Sequence, residues 1–209
     1  MAVTFDHIAF TAASCAAGRS AFEVATGVSL PLGGEHPNMG THNCLSAMGG
    51  DQFLELITID QDAPAPDRPR WFALDRLPDD QPLKPHAVII RSDDLDGDLA
   101  KAKAIGVDLG TPVSLTRGNL SWRFAIRDDG DIPLDGAAPM LMQWDQADPH
   151  PAVNMTDQGI RLKEIKITTP NASKLTELCD ALGWSDPVIA EGETHLSFTL
   201  SINGTQVTL

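Results

Sequence analysis

The chain has 209 residues, of which 29 are acidic and 15 are basic, so its formal net charge at pH 7 is −14. This length is enough to bury a substantial core. The negative charge opposes binding to nucleic acid and to anionic membrane surfaces, which leaves a small molecule as the expected partner. The aromatic content of 5%, with no tyrosine, gives no support for a base-stacking surface either.

The three cysteines, Cys15, Cys44 and Cys179, are widely spaced and form no C-x-x-C motif. An odd, scattered set of this kind favours neither a disulfide framework nor a thiolate zinc site. No basic segment with an apolar run behind it precedes the first predicted strand, and no run approaches the roughly 18 apolar residues of a membrane span. We therefore expect a cytoplasmic protein with free thiols.

Three segments of the chain repeat one pattern of strand, helix and closing glycine. The strands are predicted in VTFDHIAF (3–10), KPHAVIIRS (84–92) and LKEIKITTP (162–170). Each is followed by an amphipathic stretch with helical spacing, and each stretch ends at a glycine that suits the left-handed position after a helix. Gly27, Gly106 and Gly183 lie 20, 20 and 19 residues after His7, His86 and Glu164, respectively.

Strand and turn signals follow each predicted helix. The first unit carries the turn Gly49-Gly50, and the third carries the hairpin signal Asn203-Gly204. We therefore predict an α+β fold in which repeated βαβββ units form curved mixed sheets with helices on the outer face. The predicted parts are a first unit (1–59), a proline-rich connector (60–82), a second unit (83–145), a connector (146–159) and a shorter third βαββ unit (160–209).

Strand alternation predicts which side chains share the inner face of the first two units. His7 of the first strand and Glu55 of FLELI are expected to point inward together, with His86 and Gln143 at the matching positions of the second unit. Because an isolated buried carboxylate is costly, Glu55 must be paired, protonated or coordinated. Two imidazoles, one carboxylate and one amide oxygen suit a divalent Zn, Ni, Fe, Mn or Co ion. The alternative for His7 is a core histidine satisfied by a nearby hydrogen bond.

Four further residues are candidates to bind a substrate in this concavity. His42 is predicted to point inward, with a structural turn role as the alternative, while Asn43 is predicted to face the helix. Arg117 and Arg123 are candidates to bind a carboxylate or phosphate, because a guanidinium offers a planar two-pronged donor. Each could equally be a solvated arginine at a strand edge. Trp122 alternates with Arg123, so at most one of the two faces the pocket.

The paired units, the DHIAF start and the FLELI closing strand resemble the vicinal oxygen chelate superfamily, which includes glyoxalase I, extradiol dioxygenases and methylmalonyl-CoA epimerase. The longer segments HPNMGTHNCLSAMGGDQFLELITID, PAPDRPRWFALD and SWRF narrow the resemblance to the glyoxalase-like domain proteins. The resemblance covers about residues 3–151 and reaches the last unit only through the repeat.

The resemblance implies a metal held between two units by residues of their first and last strands, here His7, Glu55, His86 and Gln143. It further implies that the metal polarises two adjacent substrate oxygens and stabilises an enediolate-like anion, with Glu55 as both ligand and proton-transfer base. We therefore expect a lyase or isomerase that acts on a small oxygen-rich substrate.

Two alternatives to this function stay open. If Gln143 is uninvolved, two histidines and one carboxylate would resemble an oxygen-activating Fe(II) dioxygenase site. The same fold could also serve a metal-free protein that binds or sequesters a small molecule. Because three units do not pair off within one chain, the third unit either joins a sheet edge or meets its counterpart in a homodimer.

Overall fold

The computed structural model describes residues 3–145 and 149–209, which form three successive units. The first unit contains β1 (Thr4–Thr11), α1 (Cys15–Thr26), β2 (Leu32–His36), β3 (Thr41–Gly49) and β4 (Gln52–Ile59). The second contains β5 (Lys84–Arg91), α2 (Leu95–Ala104), β6 (Thr111–Arg117), β7 (Leu120–Ile126) and β8 (Met140–Trp144). The third contains β9 (Ile160–Thr169), α3 (Ala172–Leu182), β10 (Pro187–Glu191), β11 (His195–Ile202) and β12 (Thr205–Thr208).

The first two units form one eight-stranded sheet, with the strand order β2-β3-β4-β1-β5-β8-β7-β6. β1 and β5 pair antiparallel at the centre, and each pairs in parallel with the last strand of its own unit. The sheet curves so far that its edge strands β2 and β6 come into contact. The predicted α+β architecture of curved mixed sheets is therefore confirmed, and its concave side encloses a volume between the two units.

The helices end where the glycine spacing predicts. Gly27, Gly106 and Gly183 adopt positive φ angles of 73°, 80° and 69°, a conformation that glycine reaches without the steric cost of a β-carbon. α1 packs closely on the outer face of the sheet. A β-carbon at Gly18 would lie only 2.8 Å from the Leu56 side chain, so glycine permits this close approach. Among the described residues, no helix is both long and apolar enough to cross a membrane.

The third unit forms a separate four-stranded sheet with the order β10-β9-β11-β12. It contains one strand more than predicted, because β10 begins at Pro187 and pairs in parallel with β9. This sheet packs on the outer face of the large one, where the rings of Phe198 and Phe10 lie 5.4 Å apart. It therefore does not extend an edge of the large sheet, and the homodimer stays a prediction.

Two β-bulges interrupt the pairing of β1 with β5. Asp6 is an extra residue in β1, since its neighbours Phe5 and His7 pair with consecutive residues of β5. His86 is likewise an extra residue in β5, since its neighbours Pro85 and Ala87 pair with consecutive residues of β1. A bulge shifts the alternation of side chains between the two faces by one residue. Both shifts occur at residues that bear on the predicted site.

Two turns of 3₁₀ helix cover the concave side of the large sheet. The first, Trp71–Arg76, lies in the proline-rich connector, and its side chains Trp71, Phe72 and Leu74 are buried. The second, Pro151–Asn154, lies in the connector after β8. Residues 146–148 of that connector lie outside the described residues.

Candidate active site

A cavity of about 40 Å³ lies on the concave face, between the first two units. The two units contribute different chemistry to it. Its ionisable and amide side chains are His7, His36, Asn43 and Glu55 from the first unit and Arg117 from the second. Its aromatic walls are Phe53, Trp71, Phe72, Trp122, Phe124 and Trp144.

His7 and Glu55 meet in this cavity, on the face that strand alternation predicts. The parallel pairing of β1 with β4 sets His7 beside Phe53, whose ring stacks on the imidazole with a centroid distance of 4.1 Å. His7 Nε2 lies 3.5 Å from Glu55 Oε2, and both residues are buried. This separation exceeds an ordinary N–H···O hydrogen bond, so both atoms keep capacity for a further partner.

Asp6 holds the other side of the His7 ring. Its Oδ1 lies 2.6 Å from His7 Nδ1, and its Oδ2 accepts hydrogen bonds from Trp144 Nε1 at 3.0 Å and His150 Nε2 at 3.1 Å. Alternation alone would turn Asp6 to the face opposite His7, but the bulge turns it toward His7. His150 is buried against Asp6.

The contacts around His7 favour the charged forms of Asp6, His7 and Glu55. Burial alone would raise the pKa of Asp6, but hydrogen bonds from His150 and His7 hold it below its usual value. Burial would lower the pKa of His7, but the hydrogen bond to Asp6 and the nearby Glu55 carboxylate raise it. Burial would raise the pKa of Glu55, but the nearby His7 imidazolium lowers it, with help from the hydrogen bond donated by Asn43. The site thus favours an imidazolium between two carboxylates.

Asn43 belongs to the site although the sequence predicts that it faces the helix. Its Nδ2 donates to Glu55 Oε1 at 2.6 Å. β3 presents Asn43 and Leu45 to the cavity, and His42 lies outside the cavity lining. Its Nε2 is buried and has no hydrogen-bond partner among the described residues. The prediction of an inward His42 is therefore wrong. The segment around Ala152 covers the concave face and gives Leu45 an apolar neighbour there. Leu45 therefore points inward, and His42, at an alternate position of the strand, points outward.

His86 does not reach the cavity. Its Nε2 lies 2.6 Å from the carbonyl oxygen of Phe72, and its side chain lines a separate cleft of about 740 Å³. The cavity face of β5 carries Ile89, the residue that pairs with His7. Alternation from Ile89 places Ala87 on the cavity face and His86 on the opposite face, so the repeat spacing does not bring the second histidine opposite the first.

Gln143 also points away from the cavity. Its Oε1 accepts hydrogen bonds from Arg123 at 2.6 Å and from the backbone N–H of Leu95 at 3.2 Å, at the start of α2. In β8 the inward side chains are Met142 and Trp144. The sequence comparison of the two closing strands is thus displaced by one residue, and Met142 stands where Gln143 is predicted.

The side chains in the cavity do not fit the predicted divalent metal. Of the four predicted ligands, only His7 and Glu55 lie together, and no group of three His, Cys, Asp or Glu side chains in the described parts of the chain could hold an ion. Asn43 turns its N–H donor toward Glu55, and the Arg117 guanidinium shares the same cavity. A cation there would meet like charge and lack ligands.

Of the three remaining candidates, Trp122 and Arg117 line the cavity and Arg123 does not. Arg123 points outward, where it pairs with Asp96 at 2.8 Å and with Gln143, in keeping with the predicted alternation against Trp122. His36, predicted to be a loop residue, lines the cavity beside Arg117, with 3.4 Å between His36 Nε2 and Arg117 NH1.

A glycine pair in β2 makes room for two of the cavity residues. A β-carbon at Gly33 would lie 2.2 Å from Asn43 Oδ1, and one at Gly34 would lie 2.9 Å from Arg117 Cδ. The backbone N–H of Gly34 also donates to Asn43 Oδ1 at 2.9 Å. The adjacent glycines of LGGEH are the sequence signal that could have revealed Asn43 as a site residue.

Comparison with known proteins agrees with this architecture. A family model described as a glyoxalase-like domain matches residues 5–183. The chain belongs to the glyoxalase-like domain family. The resemblance to the glyoxalase-like domain proteins predicted from the sequence is thereby confirmed. No curated protein matches this glyoxalase-like chain.

Solved structures resemble this chain at low sequence identity. A hypothetical protein from Staphylococcus aureus is 16% identical, with a TM-score of 0.62 over 100% of this chain and 84% of that one. A methylmalonyl-CoA epimerase from Streptomyces coelicolor is 15% identical, with a TM-score of 0.42 over 69% of this chain and 94% of that one. A methylmalonyl-CoA epimerase from Mycobacterium tuberculosis is 16% identical, with a TM-score of 0.41 over 68% and 86%.

Proposed function

We propose that this glyoxalase-like protein is a cytoplasmic enzyme that moves a proton on a carbon next to a carbonyl group of a small oxygen-rich substrate, as isomerases and lyases do. The observation that carries the proposal is the buried pair of His7 Nε2 and Glu55 Oε2, 3.5 Å apart in a cavity between two units. A carboxylate and an imidazole with shifted pKa values in one cavity are typical of acid–base sites.

Each partner has a distinct role in the proposed step. Glu55, ionised, accepts the proton from the substrate carbon, and the electron pair of that C–H bond moves toward the carbonyl oxygen. His7, as an imidazolium, donates a hydrogen bond from Nε2 to the oxygen on which negative charge develops. Asp6 Oδ1, 2.6 Å from His7 Nδ1, fixes the orientation of the ring. The proton then returns from Glu55 to a different carbon or face, which completes an isomerisation.

The walls of the cavity suit this chemistry. Aromatic side chains on both units exclude water, which strengthens each charge interaction with the substrate. At about 40 Å³ the cavity is smaller than typical ligand pockets of about 300–1,000 Å³. The substrate is therefore small, and the covering segments must move outward for it to enter.

The same aromatic walls favour one second candidate, a protein that binds a small molecule without turning it over. Six aromatic rings around a cavity supply much of the apolar surface that such a pocket needs. Turnover is what separates this candidate from the proposed enzyme.

Hydrogen–deuterium exchange tests the proposal. The protein is incubated in D₂O with small 2-oxo and 2-hydroxy acids and their methyl esters, and loss of the C–H signal next to the carbonyl group is followed by ¹H NMR. Glu55→Gln keeps the side-chain shape but removes the base, so we expect the exchange rate to fall by about 100-fold or more. Glu35→Gln, at an exposed position of β2, is the matched control and should leave the rate unchanged.

Metal removal is a second arm of the same experiment. Because the cavity offers a cation only two of the four predicted ligands, we expect treatment with EDTA to leave the exchange rate unchanged. A rate that falls with EDTA and returns with Zn²⁺ or Mn²⁺ would instead support the metal-dependent reaction. Exchange at the buffer rate for every compound tested would contradict the enzyme proposal.

A further inference from the structure

We infer that the substrate is a small monocarboxylate and that its carboxylate group binds Arg117, next to Glu55. This inference rests on the proposed proton transfer at the same cavity, whose substrate it specifies. The second unit supplies one charged side chain to the cavity lining, and that side chain is Arg117.

Arg117 is a partly buried cation with no carboxylate partner in the described parts of the chain. Its NH1 lies 3.4 Å from His36 Nε2 and 3.5 Å from Asn43 Oδ1, both long contacts to uncharged groups. By contrast, Arg91, Arg123 and Arg127 each form an ion pair with an aspartate. A guanidinium in an aromatic cavity retains its charge and needs an anion, which a substrate would provide.

The structure around Arg117 is built to admit this side chain. β6 ends at Arg117, where the edge strands β2 and β6 meet, and Gly34 of β2 lies against the arginine chain. A β-carbon at Gly34 would come within 2.9 Å of Arg117 Cδ. Any other residue at this position would displace the guanidinium.

Asn43 sets the distance between the anion site and the base. Its Oδ1 lies 3.5 Å from Arg117 NH1, and its Nδ2 donates to Glu55 Oε1 at 2.6 Å. One amide group therefore separates the guanidinium from the carboxylate that accepts the proton. A carboxylate bound to Arg117 would therefore lie one amide group from Glu55, with its α-carbon one bond further on.

The charge of the cavity favours a monoanion over a phosphate. One guanidinium balances one negative charge, whereas a phosphate monoester carries nearly two at neutral pH. His36 adds no second cation, because burial lowers its pKa to about 4. Glu55, negatively charged, would repel the second charge of a phosphate, and the small volume of the cavity excludes a long chain.

Isothermal titration of the full chain tests the assignment. The probes are 2-hydroxypropanoate and 2-oxobutanoate, their methyl esters and inorganic phosphate. We expect both acids to bind the wild-type protein at least tenfold more tightly than their esters or phosphate. Arg117→Met should weaken binding of the acids at least tenfold and leave the esters unaffected, since a charge-assisted hydrogen bond is lost. Arg123→Met, outside the cavity, is the matched control and should bind as the wild type does.

Gly34→Ala provides a second variant that keeps the charge. Its β-carbon pushes Arg117 aside, so we expect weaker binding of the acids with the thermal unfolding of the protein little changed. This variant decides the question if Arg117→Met does not fold. Acids that bind Arg117→Met or Gly34→Ala as tightly as the wild type would overturn the assignment, and so would phosphate that binds more tightly than the acids.

The two proposals fail in different ways. Binding of the acids that depends on Arg117, together with no exchange in D₂O, would overturn the proton transfer and leave the anion site standing. Exchange that proceeds equally on acids and esters, and equally in Arg117→Met, would overturn the anion site and leave the proton transfer standing. If both are right, Glu55→Gln binds the acids but does not exchange their protons.

Discussion

Acidification from pH 6.5 to pH 4 is expected to lower the free energy of unfolding by about 3 kcal/mol for each of His36 and His86. Burial lowers the pKa of both side chains from the usual 6.5 to about 4. Between these two values the unfolded chain binds a proton at each histidine and the folded chain does not. Stability therefore falls as the pH falls through this window, and the loss levels off only below the folded pKa of about 4.

The charged residues of the cavity, His7, Asp6 and Glu55, change the stability of the protein in other pH ranges. The pKa of His7 is raised in the folded state, so its stabilising contribution is present below pH 6.5 and is lost as the pH rises through the folded value. The pKa values of Asp6 and Glu55 are lowered, so their contribution is present above the usual carboxyl values and is lost in stronger acid. Together with the two neutral histidines, these shifts predict a stability maximum near neutral pH.

Urea unfolding at a series of pH values measures the effect. His36→Gln and His86→Gln should each remove about half of the decline between pH 6.5 and 4, because glutamine does not titrate. Glutamine at position 86 also retains a donor for the carbonyl oxygen of Phe72. A decline that is equally steep in both variants and in the wild type would contradict the assignment to these histidines.

The fold follows from the sequence because its signals are local and repeated. Gly27, Gly106 and Gly183 mark three helix ends by a backbone conformation that other residues avoid. Asn203 and Gly204 mark a hairpin in the same way, with φ angles of 51° and 89°. Each of these features depends on a few neighbouring residues, so periodicity and turn chemistry are enough to predict it.

The site follows from the sequence only in part, because its geometry depends on register between distant strands. Alternation correctly joins His7 to Glu55, since the pairing of β1 with β4 is regular there. The bulge at Asp6 reverses one other assignment, and the pairing of Ile89 with His7 reverses the assignment of His86. Nothing in the local pattern of either strand reveals the bulge or this register. The prediction that Gln143 points inward fails for a similar reason, because a displacement of one residue sends a side chain to the opposite face of a sheet.

Replacing Asp6 is also expected to lower the free energy of unfolding by a large amount. Asp6 is fully buried, and its carboxylate meets His7 at 2.6 Å, Trp144 at 3.0 Å and His150 at 3.1 Å. Asp6→Asn keeps the shape of the side chain but removes the charge, which leaves the His7 imidazolium with one carboxylate partner instead of two. Loss of one partner from a buried ion pair costs about 3–5 kcal/mol, and urea unfolding at pH 7 measures the change.

Asp51→Asn is the matched control, because Asp6 and Asp51 both pair with Arg91, at 3.5 Å and 3.6 Å. Asp51 is more than half exposed, so its replacement should change stability by less than about 1 kcal/mol. The two variants also differ at the site. The hydrogen bond between His7 and Asp6 raises the pKa of His7, so Asp6→Asn should lower that pKa in an NMR titration, and Asp51→Asn should not. Equal losses of stability, with an unchanged titration of His7, would show that Asp6 does not hold the imidazolium in place.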